Sequence, residues 1–313
     1  MAKVEDFSSR PALGVALKVV AILLFTTMAA LIKSTADEVP AGEAVFFRSF
    51  FAIPIILLWL SQRGELKHGL KANSPMGHVW RGLFGTIAMG LTFTGLGLLP
   101  LPEVTAIGFA TPIFTVALAA ILLGEQVRMY RLTAVAMGLI GVMIILWPRL
   151  SDLGAADQAA AIGALLILIA TLMRSLVQIH IRQLVQSEHT AAIVFYFSVT
   201  ASVLSLLTLP FGWVVPSAGT VAVLVLAGLI GGVAQILVTS AYRFGSASML
   251  APYDYTSMLA AILIGYVFFD ELPTAVMLSG AALVIVAGVL VIWRERQLGL
   301  ERSKARAVSD PKA

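Results

Sequence analysis

Two charged residues lie well inside long apolar segments of the sequence, and they are the strongest candidates for chemistry. Arg48 stands among four phenylalanines, and Asp254 stands among tyrosines and hydroxyl-bearing residues. A charge at the centre of a membrane-spanning helix costs at least about 2.5–3.5 kcal/mol, so it needs a partner or a function. We therefore take Arg48 and Asp254 as the principal candidate ligand-binding residues.

Arg48 has a functional and a structural interpretation. A guanidinium group that faces a cavity binds the carboxylate, phosphate or carbonyl group of a ligand. Alternatively, the side chain extends to the nearest surface or pairs with Glu43 or Glu103, which are expected near the same surface. Lys18, Arg81 and Arg174 lie closer to the ends of their segments, and we expect them mainly to anchor those ends.

Asp254 also has two kinds of interpretation. Its carboxylate suits a cationic or hydroxyl-rich ligand, or a proton carrier whose charged form is disfavoured by desolvation. The structural alternative is an interhelical ion pair with Arg243 or Lys18. Aromatic and small polar residues nearby in the predicted spans complete the candidate site, although most such aromatics merely fill space. They are Phe109, Thr111, Pro112, Tyr196, Tyr242, Tyr253 and Tyr255.

The composition shows what kind of molecule positions these residues. Of 313 residues, 59% are hydrophobic and 12% are charged, whereas soluble domains carry about 25% charged residues. A soluble enzyme is therefore nearly excluded, and an all-α integral membrane protein is favoured. The sequence has no cysteine, which excludes thiol redox chemistry and cysteine-ligated metals.

Apolar runs long enough to cross a bilayer as helices predict ten membrane spans. The outer-membrane strand pattern of alternating apolar and polar residues is missing. Lys and Arg outside the spans fall almost entirely on one side if both termini are cytoplasmic, and we expect that orientation. The spans are 12–33, 42–60, 77–97, 101–123, 131–148, 159–180, 190–213, 218–240, 247–269 and 274–293.

The two halves of the chain resemble each other. A shift of 146 residues places 109–125 on 255–271 and Gly85 on Gly231, and a shift of 149 places 12–14 on 161–163 and 46–49 on 195–198. Each half then has five spans, and an odd number inverts the second half in the membrane. Chance similarity between apolar helices is the competing interpretation.

Prolines interrupt corresponding spans of the two halves. Pro112 and Pro252 each leave a backbone carbonyl one turn earlier without its helical donor, at Gly108 and Ser248. Interrupted spans in matching positions are typical of binding sites in transporters. The face that carries Thr105, Gly108, Pro112 and Thr115 suits either a cavity or close helix packing.

On these residues the chain resembles a ten-helix member of the drug/metabolite transporter superfamily of the EamA type, over about 12–293. The halves differ where Ala134 matches Gly280, and Asp254 is not a residue carried over from the family. The features that carry the resemblance are the ends of spans four and nine, the Gly-rich spans five and ten, and an Arg in span two: Gly124-Glu125, Asp270-Glu271, Gly138, Gly141, Gly280, Gly288 and Arg48.

The resemblance implies an inner-membrane carrier of small metabolites that uses no ATP, with riboflavin uptake as the first expectation. S-adenosylmethionine and amino acids are the alternatives within the same fold. We expect a cytoplasmic tail at 1–11, five-helix repeats at 12–148 and 159–293, and a basic cytoplasmic tail at 294–313. Gly-rich spans five and ten are compatible with packing against a second copy, so a homodimer stays an open alternative.

A membrane-embedded lipid-modifying enzyme is the rival from another class. It needs a cluster of His, Asp or Ser at one interface, and the short loops are poor in such residues. The sequence has no Walker A, H-E-x-x-H or EF-hand pattern. We therefore expect no enzyme activity, no metal, no cofactor and no nucleic-acid partner.

Overall fold

The computed structural model describes residues 11–111, 113–115, 118, 129–151, 155–184, 187–244 and 250–309. Within these ranges the regular structure is helical, with 3₁₀ turns at Leu209–Phe211 and Ala251–Tyr255. In chain order we label the α-helices α1 (Pro11–Lys33), α2 (Ala41–Phe50), α3 (Ala52–Gln62), α4 (Leu66–Gly69), α5 (Pro75–Leu98), α6 (Leu101–Gly108), α7 (Met129–Ser151), α8 (Ala155–Leu184), α9 (Thr190–Leu206), α10 (Ala218–Phe244), α11 (Thr256–Phe269) and α12 (Ala275–Ser309).

The helices identify a multi-pass membrane protein. Four stretches are long and apolar enough to cross a membrane by length and composition, at Ala12–Lys33, Ala41–Gln62, Gln158–Ile181 and Ala218–Ala241. Shorter apolar helices occupy Ala136–Pro148, Thr190–Leu206, Tyr253–Phe269 and Ala275–Leu290. The count of ten spans stays a prediction, because residues 112, 116, 117 and 119–123 of the predicted fourth span lie outside the described residues.

Prolines divide several of the predicted spans. Span two consists of α2 and α3, which meet at Phe51, because Pro54 has no N–H for the carbonyl of Phe50. Helix α6 ends at Gly108, one turn before Pro112, and a 3₁₀ turn that contains Pro252 precedes α11. Both interruptions therefore lie where the prolines predict them.

Helix packing follows the internal repeat. Helix α1 packs along α10, and α5 packs along α8, with α2 against α9, α6 against α11 and α7 against α12. Under the repeat α1 corresponds to α8 and α10 to α5, so the first two interfaces are equivalent. The α2–α9 and α7–α12 interfaces each join a helix to its own equivalent, whereas α6 packs against the helix that follows its equivalent segment. This is the pattern expected of two halves related by an approximate two-fold axis.

The equivalence holds at single residues. A Cβ atom on Gly14 would lie 3.1 Å from the Cβ atom of Phe244, and one on Gly163 would lie 2.7 Å from that of Leu98. The shifts of 149 and 146 convert the first pair of residues into the second. Equivalent glycines thus allow equivalent close contacts in the two halves.

The glycines of the predicted spans five and ten make close helix contacts within one copy of the chain. A Cβ atom on Gly141 would lie 2.8 Å from the carbonyl oxygen of Gly280, and one on Gly280 would lie 2.6 Å from that of Gly141. Gly288 makes room for the hydroxyl of Tyr255. The glycines therefore give no support to a dimer, and the homodimer stays a prediction without that observation.

Candidate functional site

Arg48 is a buried cation in the last turn of α2. The residue is 3% exposed, and its guanidinium carbon lies 5.6 Å from the centre of the Phe197 ring on α9. The Nε and Nη1 atoms are buried without a hydrogen-bond partner in the described part of the chain. Arg48 therefore does not extend its head to a surface.

Arg81 of α5 approaches the same ring. Its guanidinium carbon lies 4.0 Å from the centre of the Phe197 ring, and the residue is 7% exposed. Its Nε is also buried without a partner among the described residues. The expectation that Arg81 is a surface anchor is wrong, because α9 covers the side chain and the guanidinium group stacks on an aromatic ring. We call Arg48, Arg81 and Phe197 the Phe197 site.

Acidic residues do not neutralise the Phe197 site within the described ranges. The lysine ion pairs found there join Lys18 to Asp254 and Lys33 to Glu271. Glu43, which the sequence offered as a partner for Arg48, instead accepts a hydrogen bond from the backbone N–H of Val214 at 3.1 Å. Two buried cations thus share one ring without a described counter-anion.

Two equivalent glycines make room for the arginines. A Cβ atom on Gly85 would overlap Nη1 of Arg81 and would lie 2.8 Å from the Phe197 ring. A Cβ atom on Gly231 would lie 3.3 Å from Nε of Arg48. Gly85 corresponds to Gly231 in the repeat, and Arg48 corresponds to Phe197. A residue that contacts its own equivalent lies beside the axis relating the halves, so the Phe197 site is where the halves meet.

Phe109 and Tyr255 form a second contact between equivalents. Their rings are 5.1 Å apart and nearly perpendicular, at 74°, which is a favourable aromatic geometry. The hydroxyl of Tyr255 is buried without a hydrogen-bond partner among the described residues. It is therefore a donor and acceptor that a ligand could use. Tyr253 is partly buried in the same 3₁₀ turn, and the side chain of Tyr242 lies outside the described residues.

Asp254 forms an ion pair with Lys18. The Oδ1 and Nζ atoms are 2.7 Å apart, and the side chains are 48% and 5% exposed, respectively. This is the structural alternative offered by the sequence, and it also shows that Lys18 is not a surface anchor. The half-exposed carboxylate still presents one face to its surroundings, so a role for Asp254 in binding stays a prediction.

The broken end of α6 is packed against α8 through polar contacts. The Thr111 hydroxyl donates to the Gly108 carbonyl at 2.7 Å, and the Ser175 hydroxyl donates to the Thr111 carbonyl at 2.9 Å. Arg174 of α8 donates to the Thr92 hydroxyl at 3.2 Å. Pro112 itself lies outside the described residues. The carbonyl that the proline frees is thus taken by a local hydroxyl, which is a packing role.

Tyr196 belongs to another cluster. Its hydroxyl donates to the Leu70 carbonyl at 2.9 Å, and its ring lies 4.8 Å from that of His78. His78 faces the Glu188 carboxylate at 3.4 Å. Tyr196 therefore uses its polar group near the start of α5. Its role as a ligand contact remains a prediction, and the neighbouring Phe197 is the aromatic residue of α9 at the arginines.

Local sequence patterns do not single out Arg81, Phe197, Gly85 and Gly231 as one site. The available signal was the repeat, which already placed Arg48 on Phe197 and Gly85 on Gly231. Equivalent positions contact each other only near the axis of a two-fold repeat. A contact between Arg48 and Phe197 therefore marks a site on the axis. Within the described ranges no group of three or more His, Cys, Asp or Glu residues is placed to hold a metal ion.

Comparison with known proteins gives a family. A sequence model of the EamA-like transporter family matches residues 12–147 and 161–294. A solved crystal structure that is 21% identical superposes with a TM-score of 0.64 over 91% of this chain and 98% of the other. At that identity the superposition shows a shared fold.

Curated relatives carry the names of transporters. The S-adenosylmethionine uptake transporter of Rickettsia prowazekii is 28% identical over 82% of this chain and 84% of its own length. The pseudopaline exporter CntI of Pseudomonas aeruginosa (strain PAO1) is 29% identical over 88% and 94%. The riboflavin transporter of Rhizobium johnstonii is 28% identical over 82% of each chain. The names share transport of small molecules but differ in substrate.

Proposed function

Because the chain belongs to the EamA-like transporter family, we propose that it is a secondary transporter in the inner membrane that works by alternating access. Its substrate is a small organic metabolite. The family and the named relatives are transporters rather than enzymes. In this proposal ten spans form two inverted five-helix repeats, and both termini are cytoplasmic.

The observation that carries this proposal is the contact between equivalent residues of the two halves. Arg48 meets Phe197, and Phe109 meets Tyr255. Substrate sites of inverted-repeat transporters lie at the interface of the repeats near the bilayer midplane. A site on this axis receives groups from both halves, and rocking one half against the other exposes it to each side in turn.

Alternating access needs contacts between the halves that open at one end at a time. One end of the bundle holds Lys33, and the Nζ atom of Lys33 lies 3.0 Å from Oε1 of Glu271. The carboxylate of Glu38 accepts a hydrogen bond from Thr220 at the same end. The Glu271 carboxylate also accepts from the backbone N–H of Leu101 at 2.7 Å and so caps α6. Glu125, its predicted counterpart, lies outside the described residues.

The opposite end of the bundle, which holds His78, has its own contacts between the halves. Glu188 accepts hydrogen bonds from the backbone N–H groups of Asn73, at 2.8 Å, and Ser74, just before α5. The Lys18–Asp254 ion pair also joins the first half to the second. Glu38 and Glu188 precede the equivalent helices α2 and α9, and they bind at the starts of the equivalent helices α10 and α5. Opening each end means breaking one of these matched contacts.

For the substrate we place S-adenosylmethionine first and riboflavin second. S-adenosylmethionine carries a carboxylate that the two buried arginines would bind, whereas its ammonium and sulfonium groups would lie away from them. Riboflavin carries a planar ring system but no carboxylate, and the Phe109–Tyr255 pair is the observation that favours it. Both substrates appear among the names of the relatives.

Counterflow in proteoliposomes tests the proposal. Vesicles that contain the purified protein are loaded with unlabelled S-adenosylmethionine or riboflavin, and the entry of the labelled compound is followed without ATP. We expect transient accumulation of S-adenosylmethionine that empty vesicles do not show. Accumulation of riboflavin alone would reverse the order of the two substrates. Accumulation that requires ATP would refute a secondary transporter.

A further inference from the structure

We propose that Arg48 and Arg81, held on the two-fold axis by Phe197, Gly85 and Gly231, together bind a single carboxylate group of the transported molecule. This inference rests on the proposed function and assigns a substrate class to the same site. It gives Arg81 a role equal to that of Arg48.

The first step is the shared ring. The two guanidinium carbons lie 5.6 Å and 4.0 Å from the centre of Phe197, so they are no further from each other than those two distances combined. The arginines come from α2 and α5, and the ring comes from α9. Three helices from both halves thus bring two like charges together, which costs free energy unless an anion compensates them.

The second step is the missing anion. Both residues are more than nine-tenths buried, and guanidinium nitrogens of each lack a hydrogen-bond partner in the part of the chain that the structure describes. Buried charges in proteins are normally paired. Removing one partner of a buried pair leaves the other charge uncompensated. The two arginines therefore have the arrangement of a binding site for an anion.

The third step is the shape and lining of the site. Glycine at positions 85 and 231 lets the side chains of Arg81 and Arg48 pack directly against the backbones of α5 and α10, which fixes both guanidinium groups beside Phe197. The planar guanidinium fork matches the two oxygens of a carboxylate. Phe197 and the sulfur of Met28, which lies against Gly231, give apolar surface for an organic body. These features favour an organic carboxylate over a small inorganic ion.

Benzoate and benzamide are matched probes for this site. They have the same ring and nearly the same shape, but benzoate alone carries a negative charge. The purified full-length protein in detergent is unfolded by heat in increasing concentrations of each compound. A ligand that binds only the folded protein raises Tm by mass action. We expect benzoate to raise Tm in a dose-dependent manner and benzamide to leave it unchanged.

Four variants locate the effect. Arg48→Met and Arg81→Met should each require at least about tenfold more benzoate for the same shift, as expected for loss of a charged hydrogen bond. Arg63→Met is the matched control, because Arg63 also stacks on an aromatic ring, 4.8 Å from the centre of Trp59, but at an exposed position. Arg81→Lys keeps the charge without the fork and should bind benzoate with intermediate strength.

The outcomes separate this inference from the proposed function. Equal shifts with benzoate and benzamide, no benzoate shift in the unmodified protein, or a benzoate shift that survives both arginine substitutions would overturn the carboxylate site and leave the transporter proposal standing. A benzoate shift that both substitutions abolish supports the site even if neither S-adenosylmethionine nor riboflavin shows counterflow. In that case only the proposed substrates fall.

Discussion

Arg48→Met should make the empty protein more stable, although a buried arginine is usually thought of as structural. The guanidinium group has no described acidic partner, and Nε and Nη1 have no described hydrogen-bond acceptor. Methionine has a similar length, keeps apolar contacts and removes the charge. A structural arginine and a ligand-binding arginine therefore predict opposite signs for this change.

The magnitude follows from two opposing terms. A charged residue at the centre of a span costs about 2.5–3.5 kcal/mol on insertion scales. The contact with Phe197, at 5.6 Å, is near the outer limit for a cation–π interaction and contributes about 1 kcal/mol. Some packing is also lost with the new side chain. We expect a net gain of about 1–2 kcal/mol, or a rise in Tm of about 2–6 °C.

The assay is thermal unfolding of the purified variant without ligand, compared with Arg63→Met. Arg63 is exposed, so its replacement should change stability by no more than about 0.5 kcal/mol. A Tm of Arg48→Met several degrees below that of the unmodified protein would refute the reasoning. Such a result would mean that the guanidinium group already has partners worth more than its burial costs.

Three further experiments test other parts of the structure. Gly85→Ala should weaken benzoate binding about tenfold, because the new methyl group displaces the arginine beside it. The control Gly90→Ala lies in open space on the same helix, so it should leave binding unchanged and stabilise the helix by up to about 1 kcal/mol. Equal benzoate binding by the two variants would contradict the close fit of Arg81 against Gly85. In a chain that carries Met28→Cys as its only cysteine, Glu188→Gln and Glu38→Gln should increase thiol labelling from opposite sides of the membrane. An increase from the same side for both would refute the idea that the two glutamates close opposite ends of the bundle. Asp254→Asn should lower stability by about 1 kcal/mol, measured by thermal unfolding, because the carboxylate is half-exposed and solvent screens its ion pair; an unchanged Tm would show that the ion pair has no structural role.

The sequence predicted the architecture better than the site. Apolar runs, the prolines at 112 and 252, and the two shifts are local or periodic signals, and they led to an all-helical membrane protein with a repeat and to its family. The division of span two at Phe51 also has a local cause, in Pro54. These features depend on residues that are close in the chain or equivalent in the two halves.

The site depended on contacts between distant helices, which one-dimensional patterns do not contain. Asp254 and Arg48 look alike in sequence as isolated charges in apolar runs, yet only Asp254 has an ion-pair partner among the described residues. Arg81 resembles a surface anchor because it lies near the start of α5, but α9 covers it. Whether a buried charge has a charged partner depends on the residues of the neighbouring helix.

Sided thiol labelling at Met28→Cys tests alternating access around the axis directly. The chain has no cysteine, so this substitution introduces a single thiol, and the Met28 sulfur lies against Gly231 beside Arg48. In vesicles of known orientation, a membrane-impermeant thiol reagent is added to one side or to the other. We predict labelling from each side in separate experiments, and protection by benzoate. Labelling that occurs from one side only, under all conditions, would contradict a site that both sides reach in turn.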